Sequence, residues 1–388
     1  MSYYCKICGQ PDCKMHAFFI GKPKSITEFS GSSPPEIFVG RWNYPNIYTG
    51  ILAPQEYGDT QIMSSPELWH KNKLPISNIM SFRNKLIYGR TQSNIKKIPA
   101  KFKSAFSEIA MTHSSTATEF KLAKPVKAEK HPDSRVPLIS RAAQVSSVKL
   151  QENTKIQAKV DYLVNDTDAK SVVAIQELHK SNIPVSNIIK LLSAGLLGMK
   201  KNRRLVPTRW SITAVDDTIS KNKLEKVKQF PEISEFQVFS SEYIGNHYEF
   251  LLLPDKYSFE VIEISLKAGA GVWKDFESFF PRKKYADSVT GAYYANRLAL
   301  VEYLEKIKRQ AQCLVIREIL PEYYAPCGVG ILRETSRAAF TKQPKKFPSL
   351  AEALKDIQSR LKQPITNYTS RSELLKNFGA QTKLTRFF

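Results

Sequence analysis

The chain has 388 residues, 42% of them hydrophobic, and 58 Lys and Arg against 36 Asp and Glu, a formal charge of +22. That length accommodates two or three domains, and so large a basic excess points to polyanionic partners, because cations laid over phosphates release condensed counterions. No apolar run is long enough to span a bilayer, and the N-terminus lacks the charged, apolar and small-residue succession of a secretory signal, so a soluble cytoplasmic protein is expected.

Residues 1–20 form a cysteine-rich head. Cys5, Cys8, Cys13 and His16 supply three thiolates and one imidazole with spacings of two, four and two residues. Tetrahedral Zn2+ suits that donor set, and the two-residue gaps let a tight turn offer both ligands of a pair to one ion. With all four positions filled by protein, the expectation is a small N-terminal zinc knuckle of structural kind. Residues 21–115 alternate in short stretches such as Ile37-Phe38-Val39 and Ile47-Tyr48-Thr49, which predicts short strands and loops. Residues 114–135 are polar, lysine-rich and interrupted by Pro125 and Pro132, which marks a flexible segment closing a first part at 21–135. Thirteen Lys or Arg against three acids fall within residues 71–130.

Residues 136–376 read as an α+β main domain with a mixed sheet core and packed helices. Val172, Ile175 and Leu178, then Ile188, Leu191 and Leu192, suit two short amphipathic helices broken at Pro184. Residues 211–215 read as a strand ending in Asp216 and Asp217, and 247–253 and 257–264 as two strands joined at Pro254-Asp255. Leu298, Val301, Leu304 and Ile307 form the stripe of a helix over 293–312. A strand at 314–319 and a helix at 349–362 follow, and residues 377–388 form a flexible, disordered tail.

The tail ends in Gln381-Thr-Lys-Leu384-Thr-Arg-Phe387-Phe388. In one tight helical turn Leu384, Phe387 and Phe388 share a face, making an apolar plug that needs a preformed pocket. Gln381, one turn earlier, can donate and accept hydrogen bonds at a smaller pocket. All four positions match the PIP-box, the peptide that docks on the sliding clamp PCNA. Recruitment to DNA replication or repair is therefore expected.

In the middle of the chain, Asp216 and Asp217 with Asp59 can hold a hard cation, Mg2+ or Mn2+, as phosphoester hydrolases do. The plainer alternative has the aspartates capping the next helix. Arg41, Arg209 and Arg297 can grip phosphate in a bidentate manner. Trp42, Trp210 and Tyr293 offer flat faces to bases. Lys200, Lys201, Arg203 and Arg204 add a basic cluster after the Pro184 helices, so a helix-turn-helix regulator without catalysis is the second reading. Arg282, Lys283 and Lys284 closely follow the aromatic pair Phe279-Phe280.

Four segments carry a resemblance beyond packing: Phe38-Val-Gly-Arg41-Trp-Asn-Tyr-Pro-Asn-Ile-Tyr-Thr-Gly, Tyr57-Gly-Asp59-Thr, Leu205-Val-Pro-Thr-Arg209-Trp210-Ser-Ile-Thr-Ala-Val-Asp216-Asp217, and Gly291-Ala-Tyr293-Tyr294-Ala-Asn296-Arg297. Together with the cysteine head and the PIP-box, they resemble the archaeal Nre family over nearly the whole chain. The resemblance implies an archaeal, chromosome-associated DNA-repair factor that works with PCNA, binds DNA and carries an N-terminal zinc finger.

Overall fold

A computed structural model describes residues 26–128, 136–139, 141–267 and 271–379. The proposed zinc ligands and the terminal docking peptide lie outside these residues. The chain divides into two compact units, one made of Met1–Ile219 with Tyr324–Ile331 and the other of Ser220–Tyr323 with Leu332–Phe388.

In the first unit the order is β1 (Glu28–Ser33), β2 (Ile37–Val39), β3 (Asn46–Ala53), α1 (Pro66–Lys71), α2 (Ile76–Lys85), β4 (Ile87–Asn94), α3 (Ala100–Met111), β5 (Thr116–Leu122), β6 (Lys127–Ala128) and β7 (Arg141–Leu150). Helices α4 (Ala158–Asn165), α5 (Ser171–Lys180) and α6 (Val185–Ser193) follow, then α7 (Thr208–Val227), within which the division falls. The strands form one sheet in the order β1-β5-β7-β4-β3-β2, with β6 paired to β7. Every neighbouring pair is antiparallel except β4 with β7. Alternation in β3 sends Ile47, Ile51 and Ala53 to one face, where Phe102, Phe106 and Ile109 of α3 join them in the main core. The opposite face is covered at one end only, by a smaller cluster of Leu52, Met63, Leu86 and Tyr88.

Two sequence expectations are corrected here. The flexible segment at 114–135 contains β5, which lies between β1 and β7. Its inward residues are Thr116, Thr118 and Phe120, and Thr118 Oγ1 donates to the Thr116 carbonyl at 2.9 Å. Small hydroxylated residues that satisfy themselves locally can be buried without raising the hydropathy of a segment. A boundary at 135/136 would also cut one sheet, because β7 pairs with both β4 and β5. The helix-turn-helix reading fails at its second helix. Although α5 and α6 flank Pro184 as expected, α6 packs against α3 and β2, and none of its residues is exposed. Even Lys190 is buried, its ammonium donating to the Pro35 carbonyl, and desolvation pushes its pKa down to about 8 against the pull of Glu67 and Glu36. A recognition helix must leave one face free for the major groove.

The second unit holds β8 (Phe236–Tyr243), β9 (Asn246–Leu253), β10 (Ser258–Ser265), β11 (Val272–Glu277), α8 (Gly291–Ile307), β12 (Gln312–Ile319), α9 (Val329–Ala339, from Leu332), β13 (Lys345–Phe347), α10 (Leu350–Gln358), α11 (Thr366–Thr369) and α12 (Glu373–Asn377). Sheet order is β11-β10-β12-β9-β8-β13, and only β10 with β12 is parallel. The strands at 247–253 and 257–264 therefore exist but are not partners: β12 runs between them. Every residue of β9 and β10 is buried. Tyr248, Phe250, Phe259, Val261, Cys313 and Val315 face α8 and the later part of α7. Leu251, Leu253, Ile262, Ile264, Leu314 and Ile316 face α10 to α12.

The second of these faces also carries three buried glutamates, Glu249, Glu260 and Glu318. Arg360 clamps Glu249 through Nε at 2.7 Å and Nη2 at 2.8 Å. Glu318 accepts from the backbone N–H groups of Lys362 and Gln363 at 2.9 and 2.8 Å. Glu260 accepts from the N–H groups of Glu373 and Leu374 at 2.9 and 3.0 Å and from the Ser372 hydroxyl. Hydrogen bonds to charged groups contribute about 1.5–3 kcal/mol each, so the C-terminal helices are fastened to the sheet at three points.

His247 adds a titratable link, with Nε2 2.9 Å from Glu249 and Nδ1 3.2 Å from Glu242. Burial opposes the imidazolium, but the bonds and charges of Glu249 and Glu242 outweigh it and raise the pKa. A raised folded-state pKa stabilises the fold fully below the ordinary imidazole value of about 6.5, and that contribution is lost as pH rises through the raised value. The stability difference between the wild type and His247→Gln, from urea unfolding at several pH values, should therefore be largest in mild acid and shrink towards alkaline pH. A difference that does not vary with pH would remove the charged link.

Candidate nucleic-acid interface

Residues 40–45 join β2 to β3 in a turn that pushes aromatic side chains outward. Asn43 adopts the left-handed region at φ 62, which asparagine tolerates better than most residues, and its carbonyl accepts the Asn46 N–H at 2.8 Å. Trp42 is left 70% exposed and Tyr44 47% exposed. The Arg41 guanidinium lies over the Trp42 ring, 4.1 Å from its centroid.

A second element meets this turn. Pro207 opens α7, its carbonyl accepting from Trp210 N and Ser211 N at 2.8 and 3.0 Å. Thr208 Oγ1 accepts the Val39 N–H at 2.9 Å, which ties the end of β2 to the first residue of α7. Trp210, 46% exposed on that first turn, consequently sits 5.4 Å from Tyr44, centroid to centroid.

The uncovered end of the sheet extends the surface. In the register of β3 with β4, Gly50 lies opposite Arg90 and Tyr48 opposite Gln92. Arg90 reaches diagonally to place its guanidinium 4.5 Å from the Tyr48 ring and 5.7 Å from that of Tyr88. Gly50 makes this possible by having no side chain, since a Cβ there would stand 2.3 Å from a Tyr88 ring carbon. Tyr88 is anchored by its hydroxyl, which donates to the Phe38 carbonyl at 3.2 Å. Two exposed aromatic groups result, Trp42, Tyr44 and Trp210 with Arg41, and Tyr48 with Arg90. Flat π faces beside guanidinium groups stack with unpaired bases and hold the adjoining phosphates.

The sequence-predicted residues divide between those on this surface and those elsewhere. Arg41, Trp42 and Trp210 lie on it, and Arg209 is half-buried on the same first turn of α7. Lys200, Lys201 and Arg204 are exposed around a 3-10 turn at Lys200–Asn202. Arg203 is committed to the fold instead, donating to the carbonyls of Gly198, Val164 and Asp166 at 2.7, 2.7 and 2.8 Å. Tyr293 is fully buried in the second unit. Arg297, 2% exposed, bonds Glu277 at 2.9 Å and the Ser220 hydroxyl through Nε and Nη2 at 3.2 and 3.0 Å.

Asp216 and Asp217 are not at a strand end: they lie inside α7 and are buried. The stretch Ser211-Ile-Thr-Ala-Val reads as a strand in a five-residue window. Over twenty residues the buried positions Ile212, Val215, Ile219, Leu224 and Val227 recur at helical spacing. Asp59 is exposed, its Oδ1 accepting from Gln61 N at 3.1 Å and Ser115 Oγ at 3.2 Å. Among the described residues no three His, Cys, Asp or Glu side chains gather as a metal-ligand set. Sequence reading missed Tyr44, Tyr48 and Arg90. The alternation of Asn46-Ile47-Tyr48-Thr49 marked Tyr48 as outward, but only strand pairing brings Arg90 to it.

The chain matches the family profiles described as "Archaeal Nre, N-terminal" over residues 7–273 and "Archaeal Nre, C-terminal" over residues 277–387. It is 33% identical over 388 residues to the DNA repair protein NreB of Archaeoglobus fulgidus, covering 98% of this chain and 97% of that one. It is 31% identical over 374 residues to the DNA repair protein NreA of Haloferax volcanii, covering 92% and 88%. The NreA of Archaeoglobus fulgidus is 31% identical over 392 residues, covering 98% and 96%. No solved structure matches.

Proposed function

The chain belongs to the archaeal Nre family, and from that premise we propose a DNA-repair factor that binds DNA through unpaired bases and is delivered to its site by the PCNA clamp. The repair role is supported by relatives named DNA repair proteins that align over nearly their full length. The observation that carries DNA binding is the exposure of Trp42, Tyr44, Trp210 and Tyr48, with the Arg41 guanidinium over Trp42 and that of Arg90 over Tyr48. Four large aromatic groups held at the surface by a turn, a helix start and a strand register favour stacking on bases that have left the duplex. The charge of +22 supplies long-range attraction to phosphate.

Stacking contributes about 1–3 kcal/mol per base. Trp42→Ala combined with Trp210→Ala should weaken single-stranded DNA binding by roughly one and a half to four orders of magnitude, measured by fluorescence anisotropy, without altering the thermal midpoint much. Undiminished affinity in the double variant would sink this surface as the binding site.

Delivery rests on Gln381, Leu384, Phe387 and Phe388, which carry the full PIP-box pattern. Burying such side chains contributes about 1.5–3 kcal/mol each, enough for a reversible tether once ordering costs are subtracted. Phe387→Ala with Phe388→Ala should abolish clamp capture in a pull-down and leave DNA affinity unchanged. Retained clamp capture would show that docking lies elsewhere on the chain.

Cys5, Cys8, Cys13 and His16 are proposed to hold one structural Zn2+. Purified protein should contain about one zinc per chain, and Cys5→Ser with Cys8→Ser should lose it. Protein that folds and carries no zinc would refute the knuckle.

A further inference from the structure

The second unit presents Trp273, Phe280 and Tyr285 at its surface. Phe280 is 76% exposed, the highest exposure of any large hydrophobic residue among those described. It sits in the loop between β11 and α8, followed by Arg282, Lys283, Lys284 and Tyr285. Lys283 and Lys284 are exposed, and Tyr285 is 59% exposed.

This exposure is built into the fold. Phe279 turns inward beneath Lys228, whose ammonium lies 4.8 Å from its ring and also donates to the Phe279 carbonyl. Phe280 N donates to Ser278 Oγ at 3.3 Å, and the two phenylalanine rings stand edge to face at 5.8 Å. Arg282 is bound to Asp275 at 3.0 Å, to the Phe276 carbonyl at 2.7 Å and to the Lys284 carbonyl at 3.2 Å. Asp275 in turn accepts from Ser288 N and Val289 N at 3.2 and 2.7 Å, and Tyr294 Oη accepts from Ala286 N at 2.8 Å. Both arms of the loop are thus fastened, and Phe280 cannot reach the apolar core without breaking several of these bonds. The acidic groups are Asp275, which is bound to Arg282, the buried Glu277, which is bound to Arg297, and the exposed Asp287.

We propose that this loop is a second DNA contact, in which Phe280 enters a weakened base step of duplex DNA while Lys283 and Lys284 hold the flanking phosphates. An apolar side chain on a rigid support can partly unstack a step and take the place of a base, and the energy needed is least where pairing is already defective. Two adjacent cations supply the charge complementarity, and Tyr285 offers a second flat face beside them. Duplex DNA with a mispair is thereby favoured over fully paired duplex. The inference rests on the reading that the chain binds DNA, and it goes beyond that reading by assigning a separate element to damaged duplex.

The test uses the full chain and duplexes carrying 2-aminopurine beside a mispair or in a fully paired context, with affinity followed by anisotropy. Wild type should raise 2-aminopurine fluorescence severalfold at the mispair. Phe280→Ala should lose that rise while fully paired duplex is bound within about twofold of wild type, and Phe280→Trp should restore it. Lys283→Ala with Lys284→Ala should lower affinity for both duplexes and reduce the slope of log affinity against log salt by about 1.8. A rise that survives in Phe280→Ala overturns the wedge. Wild-type binding without any rise also overturns it and leaves DNA binding by the first unit standing. Absence of DNA binding by the wild type removes both readings. Phe280-dependent binding to phosphatidylglycerol vesicles without unstacking overturns the proposal by assigning the loop to a membrane surface.

Discussion

A sheet covered on both faces gives its polar side chains no water, so each must find a partner within the protein or lose several kcal/mol. The second unit is organised by that constraint. Its strands β9 and β10 are buried along their whole length, yet the sheet carries Glu249, Glu260 and Glu318 on one face and Glu263 and Arg317 on the other. Arg317 donates to Glu263 at 2.8 Å and to the Asn246 side-chain oxygen. The three remaining glutamates are satisfied by the segment that follows the sheet in sequence, through Arg360 and through backbone N–H groups between Lys362 and Leu374. The same contacts that relieve buried charge also fix where the last helices lie. Removing Glu260 or Glu318 would both release the segment it holds and leave that segment's N–H groups without their acceptor.

The first unit follows the opposite plan. One face of its sheet is closed by α3, while the other is closed only near Leu52 and Tyr88. Where the cover ends, the alternation of β3 and β4 carries Tyr48 and Arg90 to solvent. The turn before β3 and the start of α7 bring three more aromatic residues to the surface. Exposed aromatics are costly unless something covers them. Here they are interleaved with guanidinium groups, which suits nucleic-acid bases better than a purely apolar partner.

Arginine and tyrosine play different parts in the two units although the sequence presents them alike. Arg41 and Arg90 lie over exposed rings, whereas Arg297 is enclosed by Glu277, Ser220 and the rings of Tyr293 and Tyr294. Arg203 is spent on three carbonyls that hold the end of α4 to the turn after α6. A guanidinium has five donors and no acceptor, so it serves equally well as a phosphate contact or as a pin for loose carbonyls. Composition cannot separate those uses.

The α+β class, the helices on either side of Pro184 and the strand at 314–319 were legible because each rests on local periodicity of 3.6 or 2 residues, and so was the helix expected over 293–312, although it stops at Ile307, where Lys308 takes a left-handed conformation. Family membership was legible from four short segments, and Trp42 and Trp210 within them proved to be exposed. The helical character of Asp216 and Asp217 was not legible, because a short β-branched window masks a longer helical period. Nor was β5, whose burial depends on threonines that satisfy their own hydroxyls. The sequence by itself determined which segments alternate and which residue types carry charge and aromatic faces. Only the tertiary structure decided that β12 separates β9 from β10, that Arg90 meets Tyr48, that Arg297 and Tyr293 are internal, and that Phe280 is held outward. Those outcomes depend on pairings between residues far apart in the chain, and local propensity contains no information about which distant partner a side chain will meet.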